Sequence, residues 1–225
     1  MKAVSFESVC FSYPASLGDK PSKRVFDGLA LTLEPGRVYV MSGPNGCGKS
    51  TFARLMSGIL RPDSGRIMIG GNDSAWMGLP DIGKHIGLVM QNPSRQLIMQ
   101  KPVDEIAFGL IHRGMQKEAA MNVAKAALRD YGLAQTADTP AQKLSKGEQV
   151  RLAMASLAVL EPDWLVLDES LSSLDGASRG RVLEKVARLV RHGGGALIVS
   201  HSKDLAYELG AVRILMEKGG VGVVV

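Results

Sequence analysis

The nine residues from Gly43 to Thr51, GPNGCGKST, constrain this chain more than any other stretch. They hold three glycines, one lysine and two hydroxyls. Four apolar residues in five, Val38–Met41 with Tyr39 among them, lead in as a buried strand would. A helical pattern, KSTFARLMSGIL, follows. The run is therefore a turn between a strand and a helix, spaced G-x-x-x-x-G-K-[ST] with Gly43, Gly48, Lys49 and Ser50 at the fixed positions. Glycines let backbone N–H groups curl into a nest around phosphate oxygens. The helix N-terminus adds unpaired donors and the positive end of its dipole. Lys49 supplies a point charge for terminal phosphates and Ser50 a hydroxyl ligand for magnesium. Glycines alone would make an ordinary β–α turn; the Lys-Ser pair at the helix start selects phosphate binding. The loop is expected to hold a nucleoside triphosphate, and its use must be read elsewhere.

With 225 residues, 45% hydrophobic and 22% charged, the chain has the make-up of an ordinary globular domain able to bury one substantial core. The net charge of +5 permits an anionic neighbour, but with no run of five or six basic residues the excess reads as a dispersed solvated face. The two cysteines, Cys10 and Cys47, make no disulfide framework and suit a reducing compartment. MKAVSFESVCFSYP alternates like a strand and lacks the apolar core of a signal peptide. No apolar run approaches the ~20 residues of a membrane span, and LAMASLAVL (152–160) ends at Glu161-Pro162. Any membrane part is expected from another chain.

The N-terminal third reads as strands at Val4–Ser12, Leu29–Leu33, Arg37–Ser42 and Arg66–Gly70, and another follows at His85–Met90. VDEIAFGLIHRG and KEAAMNVAKAALRDYG carry apolar residues at helical spacing. Next come a helix at about Lys146–Leu160, the strand WLVLD, a helix near Ser178–Arg191, the strand ALIVS, a short helix and VRILM. Apolar strands alternating with amphipathic helices predict a parallel sheet covered by helices. The tail EKGGVGVVV reads as a hairpin turning at Gly219-Gly220.

WLVLDE (164–169) is a buried-strand run ending in two carboxylates. In a parallel sheet, ligands collect beyond the carboxyl ends of the strands. Asp168 is suited to hold magnesium through a water, and Glu169 to orient or deprotonate an attacking water. Acidic residues also finish strands for no such reason; the phosphate loop earlier in the chain favours the functional reading. In LSKGEQVRLAMA (144–155), Ser145 and Glu148 form a capping box. Val150, Met154, Leu157 and Ala158 then make one apolar face. The same helix start would present a hydroxyl at Ser145 and bare N–H groups at Gly147 to a phosphate.

Together these segments resemble the nucleotide-binding subunit of an ABC transporter over nearly the whole chain. The resemblance makes Gly43–Thr51 the Walker A loop, so that Gly43, Pro44, Asn45, Gly46, Cys47, Gly48, Lys49, Ser50 and Thr51 bind the nucleotide. It makes Gln91 the Q-loop glutamine, LSKGE the signature, WLVLDE the Walker B strand, SSLD (172–175) the D-loop and His201 the switch histidine. Tyr13 of FSYP stands where the family's adenine-stacking aromatic falls. The implied fold is an α/β P-loop NTPase core with a mostly parallel sheet, an N-terminal antiparallel β subdomain and a helical signature subdomain at about 92–160, all in one ABC ATPase domain spanning 1–225.

The implied activity is ATP hydrolysis coupled to transport. Glu169, His201 and Gln91 are the catalytic residues, and Ser50, Gln91 and Asp168 hold Mg2+. Ser145, Lys146, Gly147 and Glu148 close over the γ-phosphate of a facing protomer, so two ATP molecules join a homo- or heterodimer head to tail. The implied partners are that second ATPase, an integral membrane coupling subunit and a substrate-binding membrane subunit, with no nucleic acid. The implied location is the cytoplasmic face of the cell membrane.

QNPSRQLIMQKPVDEIAFGL, after Gln91, is similar to the pattern of energy-coupling factor ATPases, which serve uptake of vitamins, cobalt or nickel. In that resemblance Asn92, Pro93, Gln96 and the helix from Val103 to Leu110 receive a coupling helix. Three departures stand out. Lys146 replaces the usual glycine, and Ser170-Leu171 replaces the usual Pro-Thr. Cys47 lies in the loop beside a lysine and a helix start, which predicts thiol alkylation that bound ATP prevents. Another class of ABC transporter ATPase is an alternative. A repair or chromosome ATPase is another, but would carry a long coiled coil before the signature, where no sustained heptads occur. A translation factor would need two cassettes. Intact Lys49, Asp168, Glu169 and His201 argue against an inactive binding module.

Overall fold

The computed structural model of the chain describes residues 3–14, 24–202, 204–217 and 220–224. They fall into two compact units: Met1–Leu88 with Asp163–Asp168 and Leu189–Val225, and Val89–Pro162 with Glu169–Arg188.

The first unit begins with β1 (Val4–Ser12) and β2 (Arg24–Leu33), continues through β3 (Val38–Ser42) into α1 (Lys49–Met56), and then forms β4 (Ser64–Ile69) and β5 (Asn72–Asp73). A short α2 (Leu79–His85) leads into β6 (Ile86–Val89). Antiparallel pairing builds a four-stranded sheet in the order β2-β1-β4-β5. In β1, Val4, Phe6, Val9 and Phe11 are buried while their neighbours are not, so one face meets the core. Between Phe6 and Val9 the register shifts, with Ser8 at φ 51°, and this bulge preserves the inward set.

The second unit carries α3 (Pro102–His112), α4 (Lys117–Asp130), α5 (Lys146–Ala158) and most of α6 (Gly176–Arg191). α3 has Pro102 in its first turn, Asp104 and Glu105 near its positive end and His112 in its last turn. It buries Ile106, Ala107 and Leu110. α4 packs against it with Ala120, Ala124, Ala127 and Leu128 at helical spacing. α5 is buried at Val150, Leu152, Ala153, Met154 and Ala155.

The chain returns to the first unit through β7 (Trp164–Asp168) and again through β8 (Gly195–Val199), α7 (Leu205–Glu208), β9 (Val212–Glu217) and β10 (Gly220–Val224). These strands form a sheet in the order β10-β9-β3-β8-β7-β6. β3 runs parallel to β8 and β9, β7 runs parallel to β8, and β10 is antiparallel to β9. β7 and β8 are buried at every residue, which is why their sequences run apolar instead of alternating. Phe6 of β1 stacks on Phe52 of α1 with ring centroids 4.2 Å apart, and Trp164 stacks near Tyr39 at 6.2 Å. Each such buried ring contributes roughly 1.5–3 kcal/mol of transfer free energy.

The α/β fold class is as expected, and four local readings are corrected. β2 starts at Arg24, not Leu29, because Phe26 is also fully buried and pairs with Phe11. α6 starts at Gly176, since the Asp175 carboxylate accepts from Ser178 N–H at 2.7 Å and caps it early. α2 was not expected; it is short, buries only Ile82 and is started by a proline, so it has no periodicity to read. Leu157 and Ala158 are only half-buried, and α5 buries Leu152, Ala153 and Ala155 instead. β9 and β10 pair as the expected hairpin, but Gly220, expected in its turn, is already the first residue of β10 and pairs with Glu217; Gly219 lies outside the described residues.

Candidate functional site

Parallel pairing sets Met41 of β3 level with Val199 of β8, and Val199 level with Asp168 of β7. The loop after β3, His201 after β8 and the carboxylate ending β7 thus leave the sheet along one carboxyl edge, where open α/β sheets bind ligands. Pro44, Asn45 and Gly46 form the exposed rim of the loop. Two of its three glycines are required sterically. A Cβ on Gly43 would lie 2.1 Å from Met216 O, and one on Gly48, at φ 114°, would lie 2.8 Å from Val25 Cγ1.

The three residues opening α1 each have a separate anchor. Lys49 is 5% exposed, and its ammonium donates to Gly43 O at 2.9 Å and Pro44 O at 3.0 Å. The cation is held over the loop backbone that the nest reading requires. Ser50 Oγ donates to Asp168 Oδ1 at 3.0 Å, joining two residues 118 positions apart that the sequence offers as magnesium ligands. A hydroxyl and a 4%-exposed carboxylate form a hard oxygen donor pair, the type magnesium takes alongside phosphate and water. Thr51 Oγ1 lies 3.1 Å from Tyr13 Oη, and the Tyr13 ring meets Phe11 edge-on. Cys47 departs from expectation. Its side chain is 3% exposed and part of the hydrophobic core, and a thiol shielded in this way is inert in the folded chain, so ready alkylation is no longer expected.

In the second unit, Gln91 Nε2 donates to Glu169 Oε2 at 2.8 Å. Glu169 stands in the left-handed region, φ 52° and ψ 12°, immediately before a 3₁₀ turn at Ser170–Ser173. Ser172 Oγ donates to Glu169 O at 2.8 Å and Ser173 Oγ to Ser170 O at 2.9 Å, closing that turn on itself. The capping box at α5 is complete. Ser145 N and Oγ donate to Glu148 Oε2 at 2.8 and 2.7 Å, and Glu148 N donates to Ser145 Oγ at 3.3 Å. These donations from Ser145 hold the Glu148 carboxyl below its ordinary range. Ser145 and Lys146 are exposed, and N–H groups in the first turn lack partners within the helix. A Cβ on Gly147 would stand 3.1 Å from Ser173 O, so this glycine also serves packing against the 3₁₀ turn.

Two bracing roles have no signal in the sequence, where Gln96 and the helix that holds Glu105 are expected only to receive a coupling helix. Glu105, 8% exposed, accepts from Ile98 and Met99 N–H at 2.9 and 2.7 Å, and Gln96 Oε1 accepts from Met90 N–H at 2.8 Å. They brace the segment after Gln91. Glu105 reads in sequence as an ordinary first-turn acid, and only its burial sets it apart.

The family model described as ABC transporter matches residues 26–172 of the 225. The chain belongs to the ABC transporter family. Among its relatives, the energy-coupling factor transporter ATP-binding protein EcfA1 of Bacillus subtilis is 33% identical over 221 residues, covering 96% of this chain and 75% of the relative. The Fe(3+) ions import ATP-binding protein FbpC of Brucella abortus is 38% identical over 194 residues, covering 86% of this chain and 54% of the relative. CbiO1 from Clostridium perfringens, part of the ABC transporter complex CbiONQ, superposes with a TM-score of 0.79 at 26% identity, covering 97% of this chain and 86% of that one. A dimeric ATP-binding cassette bound to ADP and Pi superposes with a TM-score of 0.86 at 22% identity, covering 97% and 96%, and shares the fold. This ABC cassette is thus an ATP-binding ATPase subunit of a transporter. No helix among the described residues is long and apolar enough to cross a membrane.

Proposed function

We propose that this cassette drives an energy-coupling factor importer for a vitamin or a transition-metal ion, working as a peripheral subunit at the cytoplasmic face of the membrane. Identity of 33% to EcfA1 over 96% of this chain supports the class. The single observation that carries it to residues is the braced segment from Met90 to Glu105, whose sequence follows the energy-coupling pattern and whose loop is fixed by Gln96 and Glu105. A fixed loop followed by α3 suits a surface that takes a push from a membrane coupling subunit.

The catalytic roles follow from chemistry. The nest at Gly43–Gly48, Lys49 and Thr51 binds the triphosphate, and Tyr13 stacks on adenine. Ser50 and Asp168 are the donors that would hold Mg2+, which neutralises phosphate charge when bound. Glu169 takes a proton from the attacking water. Gln91 donates its amide to Glu169 Oε2 and so orients the carboxylate for that proton transfer. His201 sits two residues beyond β8 and contacts the γ-phosphate. Ser145, Lys146 and Gly147 begin a helix whose exposed start closes on the nucleotide of a second cassette.

Purification of the native membrane complex tests the class. A small hydrophobic coupling subunit with a solute-binding membrane subunit is the expected result. Membrane subunits without a coupling protein would move the cassette to another import class, the reading favoured by 38% identity to the Fe(3+) import relative.

A further inference from the structure

Tyr13 ends up with two anchors, only one of which stacking on a base would require. Its ring plane is set by Phe11, edge-on at 86° with centroids 5.0 Å apart. Its hydroxyl reaches 38 positions along the chain to Thr51 Oγ1 at 3.1 Å. Thr51 is 6% exposed and follows Lys49 and Ser50, whose side chains are committed to the loop carbonyls and to Asp168. The hydroxyl of Thr51 therefore joins the phosphate-binding helix start to the aromatic platform. Tyr13 itself remains 36% exposed.

We propose that the Tyr13 hydroxyl is a positioning group: through Thr51 it locks the base platform to the phosphate loop, so that nucleobase and triphosphate are recognised as one rigid ruler. A ring tethered at both ends has little rotamer freedom left to lose when a base stacks on it, which is preorganisation. Phenylalanine would stack equally well but would pay that ordering cost on binding. The tether also makes discrimination between a nucleoside triphosphate and bare triphosphate depend on the hydroxyl. This rests on the reading of Tyr13 as the adenine platform.

The experiment measures dissociation constants of ATP and of inorganic triphosphate for the full chain and for Tyr13→Ala, Tyr13→Phe, Thr51→Val, Thr51→Ser and the Tyr13→Phe/Thr51→Val pair. Tyr13→Phe should weaken ATP roughly 3- to 10-fold, the worth of one hydrogen bond, and leave inorganic triphosphate within about twofold. The double variant should bind ATP no more weakly than Thr51→Val alone, because the two changes break the same link. Thr51→Ser, which keeps the hydroxyl, should bind ATP more tightly than Thr51→Val. Equal or tighter ATP binding by Tyr13→Phe, or additive losses in the double variant, overturns the proposal. If Tyr13→Ala weakens ATP while Tyr13→Phe does not, the hydroxyl role alone falls. If Tyr13→Ala also binds normally, the adenine platform falls with it.

Discussion

The helix starts at Lys49 and at Ser145 are both anion sites by sequence, and they are built in opposite ways. At Lys49 the functional side chains are buried or half-buried and already bonded within their own unit: ammonium to loop carbonyls, Ser50 to Asp168, Thr51 to Tyr13. At Ser145 the opening residues are exposed, and the serine hydroxyl is engaged by the Glu148 of its own capping box. The first is a finished pocket wall. The second is a rigid, capped end offered outward, and we read it as a surface whose ligand comes bound to another cassette.

Chemistry, binding and surface should therefore separate by variant. The largest effect is expected for Glu169→Gln, which removes the proton acceptor and leaves the loop intact. Its kcat should fall about 10²–10⁴-fold with ATP affinity little changed, measured by steady-state turnover and equilibrium binding. Loss of binding would mean that Glu169 belongs to the pocket wall instead. Next comes Lys49→Ala, which deletes a charge-assisted donor and orphans the Gly43 and Pro44 carbonyls. ATP should bind roughly 10- to 100-fold more weakly by titration calorimetry, and unchanged affinity would break the comparison at its stronger end.

Effects at the second helix start should be smaller in the isolated chain. Ser145→Ala removes an N-cap and should cost about 1 kcal/mol of stability by denaturant unfolding, with ATP binding to the chain itself unaltered. The smallest expected effect is one of pH. Because donations from Ser145 hold the Glu148 carboxyl below its ordinary 4.5, the cap is fully stabilising above that value and loses its contribution as pH falls through the lower, folded value. The stability gap between wild type and Glu148→Gln should be present near neutrality and close in that acidic window. A gap independent of pH would show that the carboxylate charge plays no part.

Much of the first unit could be read in advance, because local signals and tertiary demands coincide there. The apolar runs before Gly43 and Glu169 are buried on both faces, and a glycine loop followed by Lys-Ser admits few structures. The Ser145–Glu148 box was likewise legible from its spacing. What escaped depends on distant partners. Nothing local says that Thr51 meets Tyr13, that Glu105 serves two amides across its loop, or that Gly147 must clear Ser173 O. The thiol of Cys47 misled for the same reason: its chain neighbours are polar and basic, while its side chain points into the core. α2, with a single buried residue, left no pattern to detect.

The account is tested most directly by the ATPase rate of the native membrane complex carrying Ser145→Arg and Gly147→Ala in this chain. The expected result is a rate at least about tenfold below wild type, as for loss of a donor set to the transition state, while this chain still binds ATP with its normal affinity. Turnover at the full wild-type rate would contradict it, since the phosphate loop would then be sufficient without the capped helix start.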